Sequence, residues 1–196
     1  MFKRYAIAAA ILAASSAPAF AHLDPAHHGS FMAGVSHPLF GLDHILVMVA
    51  VGLWAAMIGG RALWVVPAAF VGTMAFGYGL SLFAVPLPFV EPVILASVVA
   101  LGLLVAAAVK LPVGIGAVLV GLFAMFHGHA HGGELGLASA LPFGIGFAIA
   151  TAFLHAAGIG IGLTLGAGLG EIRGRIVVRI LGGITAAAGL VLAFNS

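Results

Sequence analysis

Six long apolar segments dominate this sequence and constrain its fold more than any other feature. Each is close to the roughly 20 residues that a helix needs to cross the hydrocarbon core of a membrane. None alternates polar and apolar residues as a transmembrane strand does. The sequence therefore predicts an all-α, polytopic membrane protein, a bundle of six transmembrane helices near residues 38–58, 62–84, 91–109, 112–130, 140–165 and 176–194.

The composition excludes the soluble classes of protein. Hydrophobic residues make up 63% of the 196 residues and charged residues only 6%, whereas a soluble domain carries about 25% charged residues. Apart from Lys3 and Arg4 near the N-terminus, five Lys and Arg stand against five Asp and Glu, so no basic surface is expected for nucleic acid. The absence of cysteine excludes disulfides, iron–sulfur clusters and Cys-type zinc sites. Nine histidines are the exception in a chain that otherwise avoids polar residues.

The N-terminus has the three parts of a secretory signal peptide. Lys3 and Arg4 form a charged region, residues 5–14 an apolar one, and an A-x-A-like cleavage site ends at Ala21. The alternative is an uncleaved first span, for which the apolar run is short. Cleavage predicts three parts: a signal peptide at 1–21, an extracytoplasmic His-containing tail at 22–36 and a six-helix transmembrane domain at 37–196.

The basic residues predict the orientation of the bundle. Export of the mature N-terminus makes the odd-numbered spans run inward. The basic residues of the mature chain then all fall in or beside cytoplasmic loops, as the positive-inside rule requires: Arg61, Lys110, Arg173, Arg175 and Arg179. An even number of spans returns the C-terminus to the external side.

The first group of ionisable residues, His37, Asp43 and His44, lies at the outer mouth of the first span. Pro38 suits the first helical position, so His37 is expected to cap the span rather than continue it. Two imidazoles and a carboxylate suit a divalent metal ion. Asp43 is then either a direct ligand or the acceptor of a ring N–H that fixes a histidine tautomer. The structural alternative is an Asp–His hydrogen bond that only holds the bundle together.

A second group lies at the external end of the fourth span and contains His127, His129 and His131, with Glu134 after a pair of glycines. His127 and His131 are four residues apart and share a helix face, whereas His129 points elsewhere. A short His-rich tract is typical of metal binding. The topology brings this group to the same side of the membrane as the first. The alternative is a hydrated loop with interfacial histidines.

Two isolated residues complete the candidates. His155, inside the fifth span, is a later station on an ion path, a proton acceptor or the partner in an interhelical hydrogen bond. Glu91 opens the third span at the external side and either completes the site or stabilises the helix start.

Glycines at every fourth position of the fifth span predict close helix packing: Gly158, Gly162, Gly166 and Gly170.

At these motifs the chain resembles the HupE/UreJ family of nickel/cobalt permeases. The matching parts are the H-x5-D-H run from His37 to His44, the F-H-G-H-A-H-G tract of residues 126–132, and residues 152–160 around His155. Glu91 and Ser97 also match a Glu-then-Ser pattern in the family's third span. The likeness covers nearly the whole chain, including the signal peptide.

The resemblance implies secondary uptake of Ni2+, or Co2+, across a bacterial inner membrane, with both mature termini in the periplasm. Such uptake supplies nickel enzymes such as hydrogenase and urease. The family's critical residues carry over to His37, Asp43 and His44, and to His127 and His131. We therefore expect a permease rather than an enzyme, with the metal ion as substrate and no prosthetic group. The lipid bilayer is an expected partner. A second copy of the chain and a cytoplasmic metallochaperone stay open as further partners.

Two other functions stay open at this point. One is a membrane metal chaperone or sensor that binds without transport, and the other is an intramembrane metalloenzyme, since His-rich sites can activate water. An enzyme needs an added acid or base, for which only Glu134 and Glu91 qualify. The chain has no G-x-x-x-x-G-K-[ST] loop for ATP hydrolysis.

The expected metal-contacting residues are His37, Asp43, His44, Glu91, His127, His129, His131 and His155.

Overall fold

The computed structural model describes residues 29–195, which form seven α-helices and no strand within that range. The helices are α1 (Ser30–Phe40), α2 (Leu42–Ile58), α3 (Ala62–Leu82), α4 (Val90–Ala106), α5 (Val113–Gly133), α6 (Ala140–Leu169) and α7 (Glu171–Asn195). The predicted all-α class is confirmed. The predicted signal peptide, and residues 22–28 of the predicted tail, lie outside the described residues.

Four helices, α3, α5, α6 and α7, are long and apolar enough to cross a membrane. α1 and α2 pass the same test together but are bent by 76° at their junction, and α4 is a shorter apolar helix. Helices overlap all six predicted segments. The chain is therefore a multi-pass membrane protein, and the count of six spans stays a prediction.

The predicted start of the first span is wrong. His37 and Pro38 lie inside α1, which already begins at Ser30 within the segment assigned to the tail. Proline removes one backbone donor near the end of α1. Gly41 then adopts an extended conformation, and its N–H bonds to the His37 carbonyl at 3.1 Å. The helix therefore breaks at Gly41, after the proline rather than before it.

α2 is the central helix of the bundle and packs against α1, α3, α4, α6 and α7. All of its residues 50–55 are buried. Trp54 donates its indole N–H to the Val109 carbonyl at 2.7 Å, which ties α2 to the segment after α4. Around this centre α3 packs chiefly on α5, α4 on α7, and α6 on α1 and α2.

Glycines set the closest helix crossings. A Cβ added to Gly52 of α2 would overlap the carbonyl of His155 in α6, and one added to Gly158 would overlap the backbone of α2. Gly77 and Gly128 make the equivalent contact between α3 and α5. Because only hydrogen separates the backbones there, the helices approach more closely than larger side chains allow. The predicted packing role of the fifth-span glycines is thus confirmed at Gly158.

The two ends of the bundle differ chemically. At one end, histidines and acidic side chains line a single cavity together with Asn195 near the C-terminus. At the other, Lys110 and Arg175 line a separate cavity of about 250 Å³, and Arg179 donates to the Ala106 carbonyl at 2.8 Å. Lys110, Arg175 and Arg179 therefore lie at the end opposite the cavity that the histidines line.

Candidate metal site

A cavity of about 430 Å³ opens at the end of the bundle where α1 meets α2. Three of the five acidic residues in the sequence line it, and so do three histidines. Carboxylates in a cleft with low-dielectric walls attract cations and raise their local concentration. The ionisable residues of this cavity are His37, Asp43, His44, Glu91, His131 and Glu134.

Three buried histidines converge in this cavity. His37 comes from α1, His44 from α2 and His131 from α5, and each is exposed by 6% or less. One ring nitrogen from each lies within 4.8 Å of the other two. The Nε2 atoms of His44 and His131 are in direct contact. Imidazole nitrogens arranged in this way suit a divalent transition-metal ion, which takes ligands at about 2.0–2.1 Å from such groups.

Asp43 lies beside the three histidines and supports one of them. Its Oδ1 is 2.8 Å from Nδ1 of His44. The negative charge favours the ring proton on Nδ1, which leaves the lone pair on Nε2, the atom that meets His131. Of the two roles left open for Asp43, this geometry favours the one that fixes a histidine tautomer.

Glu134 is a site residue that the sequence reasoning did not place among the ligands. Its Oε2 lies 3.4 Å from Nδ1 of His131 and 3.8 Å from Nε2 of His37. α5 continues through the two glycines to Gly133, so Glu134 follows one turn after His131. The spacing of three residues was the available signal, and the glycine pair obscured it.

Phe147 of α6 forms an apolar side of the cluster. Its ring centroid lies 4.4 Å from that of His131 and 6.3 Å from those of His37 and His44. The side chain is 1% exposed. The sequence held no signal for this role, because one phenylalanine in an apolar span resembles any other.

The histidines of α5 divide between different environments. His131 joins the outer cluster, whereas His127, one turn deeper, is fully buried with its ring 5.4 Å from that of His44. His129 lies apart from both, and its Nε2 is 2.8 Å from the Val85 carbonyl in the loop after α3. The alternative of a hydrated loop is wrong for His127 and His131, since both are buried within α5.

Two further candidates have different surroundings. Glu91, in the first turn of α4, lines the cavity. His155 of α6 is 1% exposed, and neither ring nitrogen has a hydrogen-bond partner within residues 29–195. The interhelical hydrogen bond that the sequence left open is therefore absent from the described part of the chain. An unsatisfied buried polar group costs about 1–3 kcal/mol, so this histidine needs an explanation other than packing.

Comparison with known proteins gives two matches. A family model described as HupE / UreJ protein matches residues 9–192. The chain is also 45% identical to Protein HupE of Rhizobium leguminosarum bv. viciae over 195 residues, which cover 96% of this chain and 98% of that protein. No solved structure matches the chain.

Proposed function

This chain belongs to the HupE/UreJ family, and from that premise we propose that it takes up a divalent transition-metal ion across the bacterial inner membrane. Ni2+ is the first choice of ion and Co2+ the second, in keeping with the association of the family with nickel and cobalt transport. The family is of a transporter type rather than an enzymatic one.

The observation that carries this proposal is the convergence of three buried imidazoles inside an acidic cavity. Neutral imidazole suits Ni2+, Co2+, Zn2+ and Cu2+, whereas Mg2+ and Ca2+ prefer shells of oxygen ligands. His37, His44 and His131 offer three nitrogens to one ion. A site with three protein ligands leaves coordination positions for water, so the ion can enter and leave.

The acidic residues have separate tasks in this scheme. Glu91 lines the cavity outside the group of three converging histidines and attracts the hydrated cation. Asp43 holds the tautomer of His44, and Glu134 acts on His131 and His37. The carboxylates thereby compensate the positive charge of the ion as the histidines replace its water.

The break between α1 and α2 supports a transport role. Discontinuous helices form the binding sites of many secondary transporters, because unwound backbone is tolerated in a membrane where it lines a cavity. Gly41, at the break, lines this one. We count α1 and α2 as one broken span and α4 as a short span, which gives six spans, the histidine end in the periplasm and the basic end in the cytoplasm.

A metal chaperone or sensor is the second candidate, and it needs only the outer site. Buried histidines beyond that site, His127 and His155, favour transport instead. Reconstitution separates the two functions. Vesicles that contain only this protein should accumulate radioactive Ni2+ in their lumen, whereas a chaperone or sensor would bind Ni2+ without accumulation.

Two variants make that experiment specific. His131→Ala removes one of the three converging nitrogens and should abolish both tight binding and accumulation. His129→Gln changes a histidine of the same tract whose ring lies outside the cluster, and it should behave as the wild type. Equal incorporation of all proteins into the vesicles is required. Full uptake by His131→Ala would overturn the proposed site.

A further inference from the structure

His127 has one ring nitrogen engaged and the other free of hydrogen bonds. Its Nδ1 lies 3.0 Å from the carbonyl of Phe123, one turn earlier in α5. A carbonyl only accepts, so Nδ1 donates its proton and Nε2 carries the lone pair. That Nε2 is buried and has no hydrogen-bond partner among residues 29–195. Such an arrangement is the one in which histidine ligates a metal.

His155 presents a second unpartnered imidazole, from a different helix. The side chain is 1% exposed, and both ring nitrogens lack partners in the same range of residues. In the neutral ring one of these nitrogens bears a lone pair. Its position is held by the crossing of α2 and α6, where the His155 carbonyl occupies the space that a Cβ on Gly52 would need.

The two histidines lie along one line of contacts that starts at the outer site. The ring of His127 is 5.4 Å from that of His44 and 5.7 Å from that of Phe70. Phe70 in turn is 4.9 Å from the ring of His155. Phe70 therefore contacts both histidines, and the order of contacts runs from His44 through His127 to His155.

Two side chains with weaker metal-ligand atoms lie near this pair of histidines. Thr151 lies one turn before His155 on the same face of α6 and is fully buried. Its hydroxyl is 3.7 Å from the sulfur of Met74, which is 1% exposed. A hydroxyl oxygen and a thioether thus lie in the same buried region, whereas the acidic residues of the described chain line the cavities at the two ends of the bundle.

We propose that His127 and His155 form an inner station that holds the transported ion after it leaves the three-histidine site. This inference rests on the proposed uptake function and deepens it. The station offers neutral nitrogens without a carboxylate, so it holds the ion less tightly than the outer site does. Conduction requires such a balance, because an ion must bind well enough to enter and weakly enough to leave.

Paired substitutions at one position test the station. His155→Leu removes the ligating ring nitrogen but keeps a similar side-chain volume. His155→Met replaces that nitrogen with a thioether sulfur. In the purified proteins the outer site should bind Ni2+ with unchanged affinity, because His37, His44 and His131 are intact, whereas the weaker binding at the inner station should be lost in His155→Leu. Uptake into vesicles by His155→Leu should fall at least about tenfold. Loss of a group that only supports a metal ligand already costs about 10–100-fold in affinity or activity, and His155 is proposed as a ligand itself. His155→Met should retain part of the rate.

A second measurement does not depend on transport. The sequence contains no cysteine, so His155→Cys introduces a single thiol at the inner position. Added Cd2+ should produce the ultraviolet charge-transfer band of a cadmium thiolate. This band should be weaker in the double variant that carries both His155→Cys and His127→Leu. Its absence, in protein whose outer site binds Cd2+, would show that ions do not reach this position.

The outcomes separate this inference from the proposed function. Uptake by His155→Leu within twofold of the wild type, with His131→Ala inactive, overturns the inner station and leaves the permease standing. Binding by the wild type without any uptake overturns the permease, and the cadmium band in His155→Cys still decides whether ions reach the inner position.

Discussion

The Asp43 carboxylate lies 2.8 Å from Nδ1 of His44, its neighbour in the chain. Adjacent residues of a regular helix point about 100° apart, which makes such contact unusual. Both residues belong to the first turn of α2, directly after the break at Gly41. The contact orients the ring so that the Nε2 of His44 meets the Nε2 of His131. A single cation between those nitrogens would satisfy both.

His44→Ala should abolish Ni2+ uptake while membrane insertion stays normal. The substitution removes the histidine that contacts both Asp43 and His131, and it leaves no bulky group to clash. Uptake in reconstituted vesicles and the yield of inserted protein measure the two effects. Normal uptake by a correctly inserted variant would contradict the ligand role.

Asp43→Asn should weaken the site without destroying it. The amide has the shape of the carboxylate but lacks its charge, so the preference for a proton on Nδ1 of His44 declines. Loss of such a supporting partner costs about 10–100-fold in metal affinity. We expect the Ni2+ concentration for half-maximal uptake to rise, with the maximal rate less affected. A variant that is inactive at saturating Ni2+ would instead indicate that Asp43 ligates the ion directly.

Gly52→Ala should destabilise the bundle. Its Cβ would overlap the backbone carbonyl of His155, so α2 and α6 must separate. The matched control is Gly72→Ala in α3, where an added Cβ meets no atom within 4 Å. Thermal unfolding in detergent, followed by size-exclusion chromatography, should show a lower midpoint for Gly52→Ala alone. Equal midpoints would contradict the close crossing.

Single cysteines should report the orientation of the bundle. Leu137 lies between α5 and α6 and is 88% exposed, and Lys110 lies at the opposite end. In whole cells treated with an agent that permeabilises only the outer membrane, an impermeant thiol reagent should label Leu137→Cys. Lys110→Cys should react only after the inner membrane is opened. The reverse pattern would invert the proposed topology.

Selectivity follows from the type of ligand. The site offers imidazole nitrogens and carboxylate oxygens and contains no thiolate. Excess Co2+ should therefore compete strongly with Ni2+ for uptake, and Mg2+ should not, because Mg2+ prefers an octahedral shell of oxygen. Competition assays in vesicles at equal ionic strength measure this difference. Inhibition by Mg2+ as strong as that by Co2+ would contradict the proposal that the histidines are the ligands that select the ion.

The helices were predictable from the sequence because a membrane leaves few choices. Backbone groups in hydrocarbon must bond within their own segment, so apolar runs of this length become helices. All six predicted segments overlap helices in the described chain. The grouping of His37 and His44 with His131 at one end was predictable as well, since the parity of the spans decides on which side each loop lies.

The start of α1 could not be read from local preference. Proline favours the first turn of a helix, yet Pro38 lies near the end of α1 and the break follows at Gly41. α1 packs against α6, where Gly34 meets the Phe143 carbonyl so closely that no Cβ would fit. This tertiary contact lies within residues 30–36, which the sequence assigned to the tail and which α1 includes.

The sequence by itself determined which chemical groups the protein has, the helices that carry them and the end of the bundle at which most of them lie. Tertiary structure decided their roles. Residues four apart share a helix face but differ by about 6 Å in depth, so His131 joins the outer cluster while His127 lies further in, beside Phe70. Sequence spacing gives position along one helix, whereas a ligand set depends on which helices lie opposite, and only packing across the bundle determines that.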